Sequence, residues 1–170
     1  MAAFAILDGC KSLPSAEELS KKSYTAGVAA AKVAEIVAKN VLDADTRAVV
    51  TGIVTQVDKV VPQTNVTFEA AWTPIAEEYI AKYAAEKKLS DLQKAAAMAA
   101  FSISIKGIDY LINVKYPKIR EYQELVEATT HGFCGGFLAE FKAAPMAAAK
   151  GAAELEYDKE VYDYLMESAK

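Results

Sequence analysis

Asp45-Thr46-Arg47-Ala48-Val49-Val50-Thr51-Gly52-Ile53-Val54-Thr55-Gln56-Val57-Asp58-Lys59-Val60-Val61, closed by Pro62, is the stretch on which the fold class turns. Valine favours strands by propensity. Here, however, Val49, Val50, Ile53, Val54, Val57, Val60 and Val61 recur at steps of three and four, which is the period of a helix face and not the alternation of a strand. The spacing predicts a helix that opens with Asp45 as its cap and stops at Pro62.

Working outward, similar signals recur. Ser15 with Glu18, and Ser90 with Gln93, are capping-box pairs, and they predict helices running from Pro14 to Asn40 and from Asp91 to about Val114. The second is apolar around much of its circumference, which predicts a central, buried position. Thr73-Pro74 predicts a helix start with proline in the first turn and Ile75, Tyr79, Ile80 and Tyr83 as its apolar stripe, leaving 65–72 as a loop or short turn. Pro117 predicts another start, with Ile119, Tyr122, Leu125 and Val126 facing inward. Gly132 predicts a break before a segment 133–142. Residues 146–155 read as alanine-rich helix, and Asp158 as the cap of a final one. Six to seven helices with short connections predict an all-α, antiparallel bundle in a single domain covering residues 1–170. Gly27, Gly52 and Gly107 fall inside helical patterns, at a cost of ~1 kcal/mol each against alanine, and predict close helix approach.

Composition bounds the function. Hydrophobic residues are 53% of the chain. Many are alanines, which favour helix but bury little area, so Val, Ile, Leu, Phe and Tyr must anchor the core. The net charge is -4, and Lys and Arg are interleaved with acids, so the basic stripe of a nucleic-acid binder is missing. The N-terminal Met-Ala-Ala-Phe-Ala-Ile-Leu lacks a basic region, and Asp8 ends it early, so no signal peptide is expected. No stretch approaches 18 uncharged apolar residues, and no transmembrane span is expected. These features suggest a soluble protein of the cytoplasm or an organelle interior. Asn65-Val66-Thr67 matches the glycosylation sequon by chance in that setting.

Chemistry-bearing constellations are sparse. His131 is the only histidine, and Cys134 lies three residues on, a spacing that can share a helix face. With no other basic neighbour to lower its pKa, Cys134 reads as structural. A di-iron bundle site needs two Glu-x-x-His pairs, and a structural zinc needs four ligands. No cofactor, metal or catalytic residue is expected. Cys10 and Cys134 read as reduced thiols, with a bridge between them left open.

Phe133, Phe137 and Phe141 share one helical face around Gly135-Gly136. That face is either a core stripe or a surface offered to a partner or lipid. With Trp72, and with Tyr162 and Tyr164 of the acidic C-terminal segment, it forms the expected partner- or lipid-facing set. The expected function is a non-catalytic scaffold docked in a larger protein assembly. The alternative is a protein that binds a lipid surface or small apolar ligand. An enzyme, the least favoured class, needs a polar cleft near His131.

Overall fold

The computed structural model describes residues 13–38, 42–147 and 154–170. Among the described residues six α-helices carry the fold: α1 (Ala16–Ala38), α2 (Ala44–Val57), α3 (Phe68–Lys87), α4 (Asp91–Tyr110), α5 (Gln123–Ala147) and α6 (Lys159–Ser168). A π-helical turn, Leu111–Lys115, prolongs α4, and a 3-10 turn, Pro117–Glu121, leads into α5. The fold is all-α, and no strand occurs among the described residues.

Local chemistry sets several helix starts. Ser15 and Glu18 exchange backbone-to-side-chain hydrogen bonds of 3.2 Å each, and Ser90 and Gln93 do the same at 2.8 and 3.1 Å. Both are capping boxes. The Asp158 carboxylate accepts from the Val161 amide at 3.2 Å and starts α6.

Other boundaries differ from the expectation. Asp43, not Asp45, caps α2, accepting from the Thr46 amide at 2.8 Å and the Thr46 hydroxyl at 2.9 Å. The same helix ends at Val57, because turn-type bonds from Lys59 to Gln56 and from Val60 to Val57 replace the helical pattern. Val60 is therefore exposed, and its carbonyl accepts the Trp72 indole N–H at 2.9 Å.

Helix α3 begins at Phe68 behind the Thr67 cap, with Pro74 inside it, and not at Thr73. An interior proline costs a helix ~3 kcal/mol or more. Phe68 and Trp72, packed edge to face at 4.7 Å and excluded from solvent, anchor the first turns and outweigh that cost. Gly132 does not break α5, which runs through it. Asn40 and residues 148–153 of the expected alanine-rich helix lie outside the described residues, and 154–157 are not helical.

Cross-contacts fix the helix directions. Glu35 meets Arg47, Gly52 meets Tyr79 and Val60 meets Trp72, so α1, α2 and α3 alternate. Asp58 meets His131 and Arg47 meets the Phe141 carbonyl, so α2 and α5 are antiparallel. Ser20 meets Gly132, Tyr24 meets Gly136 and Lys32 meets Glu140. These pairs rise together along both chains, so α1 and α5 close the bundle as parallel neighbours.

The axis of the bundle is α1. Residues Ala29, Ala30, Ala31, Val33 and Ala34 are all fully excluded from solvent. Small side chains let α4, α5 and α6 approach α1 from several directions, and larger residues of those neighbours fill the space between. The expected central helix, α4, is buried beside it through Phe101, Ile103, Ile105 and Ile108. A Cβ on Gly27 would overlap the Phe133 carbonyl oxygen and come within 2.8 Å of the Phe137 nitrogen. A Cβ on Gly107 would stand 3.0 Å from the Phe133 ring. Close packing is thus the reason for these glycines. The α5 pair is Gly132-x-x-x-Gly136, small-x-x-x-small spacing that lets two backbones meet.

Candidate functional site

The residues expected to face a partner or lipid are placed mostly inside. Phe133, Phe137 and Phe141 are 1%, 0% and 1% exposed, and Trp72 is 0% exposed. The glycines beside them draw α5 onto α1, so the aromatic rings project into the core; Phe137 and Phe141 stack at 5.3 Å. Within the Gly135-Gly136 pair, Gly136 docks closely on the chain's own α1. These four residues form no surface in this fold. Tyr162 is half-buried against Tyr157. Tyr164 is 41% exposed and stacks on Tyr110 at 4.2 Å.

His131 and Cys134 do come together, through Asp58 at the end of α2. His131 Nδ1 lies 2.7 Å from the Asp58 carboxylate. Cys134 is buried, and burial, reinforced by Asp58, pushes its thiol well above the usual range. A reactive cysteine needs the opposite environment. Among the described residues no group of three or more His, Cys, Asp or Glu is arranged to hold a metal ion. Cys10 lies outside the described residues, so its pairing with Cys134 does too.

Two further polar clusters tie helices together. Lys32 of α1 bonds Glu140 of α5 at 2.9 Å, while Arg47 of α2 reaches Glu35 at 3.4 Å and lies 5.1 Å over the Phe141 ring. At the other end of α1, Lys115 bonds Asp158 at 2.7 Å and Glu160 at 3.3 Å, and Tyr110 donates to Glu160 at 2.6 Å. Asp158 also donates its amide to the Thr25 carbonyl of α1, at 2.9 Å. Both clusters are internally paired and explain helix docking.

Among the described residues, two grooves lie along α3. Phe68, Trp72, Ala76 and Ile80, four residues apart, bury one narrow line of this helix. Its flanks are left as grooves. On the α4 side, Ala81, Ala84 and Ala85 are too small to reach Lys94 and Met98, leaving a groove of about 560 Å³. On the α2 side, Gln56, Ile75, Glu78, Tyr79, Lys82, Tyr83 and Glu86 line a groove of about 500 Å³.

Gly52 shapes that second groove. A Cβ there would overlap the Tyr79 hydroxyl and come within 2.3 Å of its ring. Glycine lets the phenol lie across the α2 backbone, and Tyr83 stacks beside it at 6.0 Å with the rings 19° apart. Burial, with Tyr83 and Glu86 adding, raises the Tyr79 pKa. The sequence had marked Ile75, Tyr79 and Tyr83 as an apolar stripe. The seat of the Tyr79 ring depends on Gly52, in another helix, and no local signal carries it.

By length and composition α4 with its π-helical turn, Asp91–Lys115, contains an 18-residue window apolar enough to cross a membrane, with mean hydropathy 1.4. The expectation from the sequence concerned uncharged stretches, whereas a window of this kind admits up to two charged residues. Of that window, 61% is buried in the bundle, as for a core helix. No family model, curated protein or solved structure matches the chain.

Proposed function

We propose that this chain is a non-catalytic, intracellular helical scaffold that docks a protein partner along α3. The observation that supports it is the pair of grooves of about 500 and 560 Å³ flanking a helix held by a single buried line. Half-exposed aromatic and aliphatic side chains rimmed by charge suit protein docking. In this reading the protein uses no cofactor or metal and does not bind nucleic acid, in keeping with its net charge of -4. The test is photo-crosslinking in the source cells, with the crosslinker at Glu78 or Ala85 on α3 and at Glu167 on α6 as control. Protein adducts from the α3 positions and not from the control are expected. Adducts absent from α3, or equal at all three positions, overturn the reading.

A second reading, binding of a lipid surface or small apolar ligand, draws on the apolar composition of α4. It requires the bundle to open, since that helix is mostly covered. Flotation with phosphatidylcholine liposomes separates the two: a scaffold stays in the dense fraction, and a lipid binder rises.

A further inference from the structure

We propose that the α2–α3 groove receives a basic, apolar segment of a partner protein, with Lys or Arg side chains held by the Tyr79–Tyr83 ring pair and, one turn or more apart, by the Glu78 and Glu86 carboxylates. The inference rests on the docking reading above and adds the chemistry of the partner.

The two grooves differ in charge. The α3–α4 groove is lined by one acid, Glu77, and one base, Lys94, among alanines, Ile80 and Met98, and so has no electrostatic preference. The α2–α3 groove has Glu78 and Glu86 against the single Lys82. Among the described residues no ion pair uses Glu78, Lys82 or Glu86, so the groove keeps one net negative charge open to a ligand. Some rings of the chain carry a cation of its own. Tyr157, Phe141 and Tyr116 each have a lysine or arginine of this chain over the ring, at 5.5, 5.1 and 5.6 Å. Among the described residues no such cation covers Tyr79 or Tyr83, although they form a stacked pair beside two carboxylates. A cation over a tyrosine face is attracted by the ring quadrupole. Nearby carboxylates add Coulombic attraction.

Shape sets the rest of the ligand. Ile75 gives one end of the groove an apolar floor, so the segment carries an aliphatic residue beside its cations. From Ile75 to Glu86 the groove follows α3 for about 16 Å at roughly 1.5 Å per residue, which accommodates three turns of helix or a short extended run. Gly52 is the third observation. A mid-helix glycine costs α2 ~1 kcal/mol, and its effect is to seat Tyr79 at the groove.

The experiment uses the full chain, 15N-labelled, titrated with three probes. The first is a helical peptide of about 15 residues built from Leu, Ala and Arg. The second is the same peptide with Glu for Arg, and the third is phosphatidylcholine vesicles. The Arg peptide is expected to shift the amides of Gln56, Ile75, Tyr79 and Tyr83, while the Glu peptide leaves them unmoved. E78Q/E86Q is expected to weaken the Arg peptide roughly fivefold, and Tyr83→Ala roughly tenfold. The charge variant alters only exposed side chains, so it tests the proposal even if Tyr83→Ala does not fold. Absence of groove shifts, equal binding of the Glu peptide, or unchanged affinity in E78Q/E86Q overturns the proposal. Vesicles that shift the same amides in place of the Arg peptide also overturn it. If crosslinking on α3 captures a partner while the Arg peptide ignores the groove, this inference falls and the docking reading stands. If crosslinking on α3 captures nothing, the docking reading itself fails.

Discussion

Gly136 of α5 rests on the backbone of Tyr24 in α1: a Cβ added to it would overlap the Tyr24 carbonyl oxygen and come within 2.7 Å of the carbonyl carbon. Backbone cannot swing aside as a side chain can. Gly136→Ala is therefore expected to destabilise by ~3 kcal/mol or more, despite the better helix propensity of alanine. Gly135 is its internal control, because a Cβ there meets only the Tyr24 ring, at 3.7 Å. Gly135→Ala is expected to gain up to ~1 kcal/mol. Urea denaturation of the two variants gives opposite signs if this contact closes the bundle, and equal midpoints would refute it.

Phe137→Ala tests the aromatic face. The side chain is fully buried and stacked on Phe141, so truncation is expected to cost ~3–5 kcal/mol. A loss below ~1 kcal/mol in the denaturation midpoint would restore this face as a candidate surface.

Lys115 holds the start of α6. Its ammonium pairs with Asp158, whose side chain is only 13% exposed, and with Glu160. Glu160 also accepts from Tyr110, a bond that pushes the Tyr110 pKa up to about 12. Lys115→Ala leaves Asp158 half-buried without its cation, at an expected cost of ~2 kcal/mol. Tyr110→Phe removes a more exposed bond, at ~0.5 kcal/mol. Hydrogen exchange checks the location of the effect. Amides of α6 are expected to exchange faster in Lys115→Ala while those of α1 are protected as before.

Asp109 gives a pH dependence of defined sign. Burial raises its pKa above the ordinary carboxylate range, Arg120 opposes this and Glu69 adds to it. One of its oxygens is buried without a hydrogen-bond partner. The folded pKa exceeds the unfolded value, so the folded state binds the proton more tightly. The stability this contributes is full below the unfolded pKa and is lost as pH rises through the folded pKa. Asp109→Asn carries no charge to desolvate. It is expected to be more stable than the parent at about pH 7, with the difference shrinking towards about pH 4. Urea midpoints at both pH values check it, and a gain that is independent of pH contradicts the assignment.

The capping boxes give a local test. Ser15→Ala and Ser90→Ala each remove an acceptor from a backbone N–H and are expected to cost ~1 kcal/mol in chemical denaturation. An unchanged midpoint for either variant means that the cap contributes nothing at that helix start.

The helical class, the starts of α1, α4 and α6 and the residues able to form the core were legible in local sequence patterns. These depend on interactions within one or two turns. The period of the Val49–Val57 run, the Ser15–Glu18 and Ser90–Gln93 boxes and the Asp158 cap are all of that kind. Tertiary structure decided the rest. Phe68 and Trp72, held by the core and by the Val60 carbonyl, carry α3 past the proline that local chemistry reads as its start. Phe133, Phe137 and Phe141 share a face by their spacing, but whether that face meets water or α1 depends on Gly27 in one helix and Gly132 and Gly136 in another, more than a hundred residues further along. The place of Tyr79 in its groove likewise depends on Gly52 of α2, which yields space to a side chain of α3. A period records which residues share a side of a helix. What lies on that side is set by packing between segments distant in sequence, and only the folded chain brings them together.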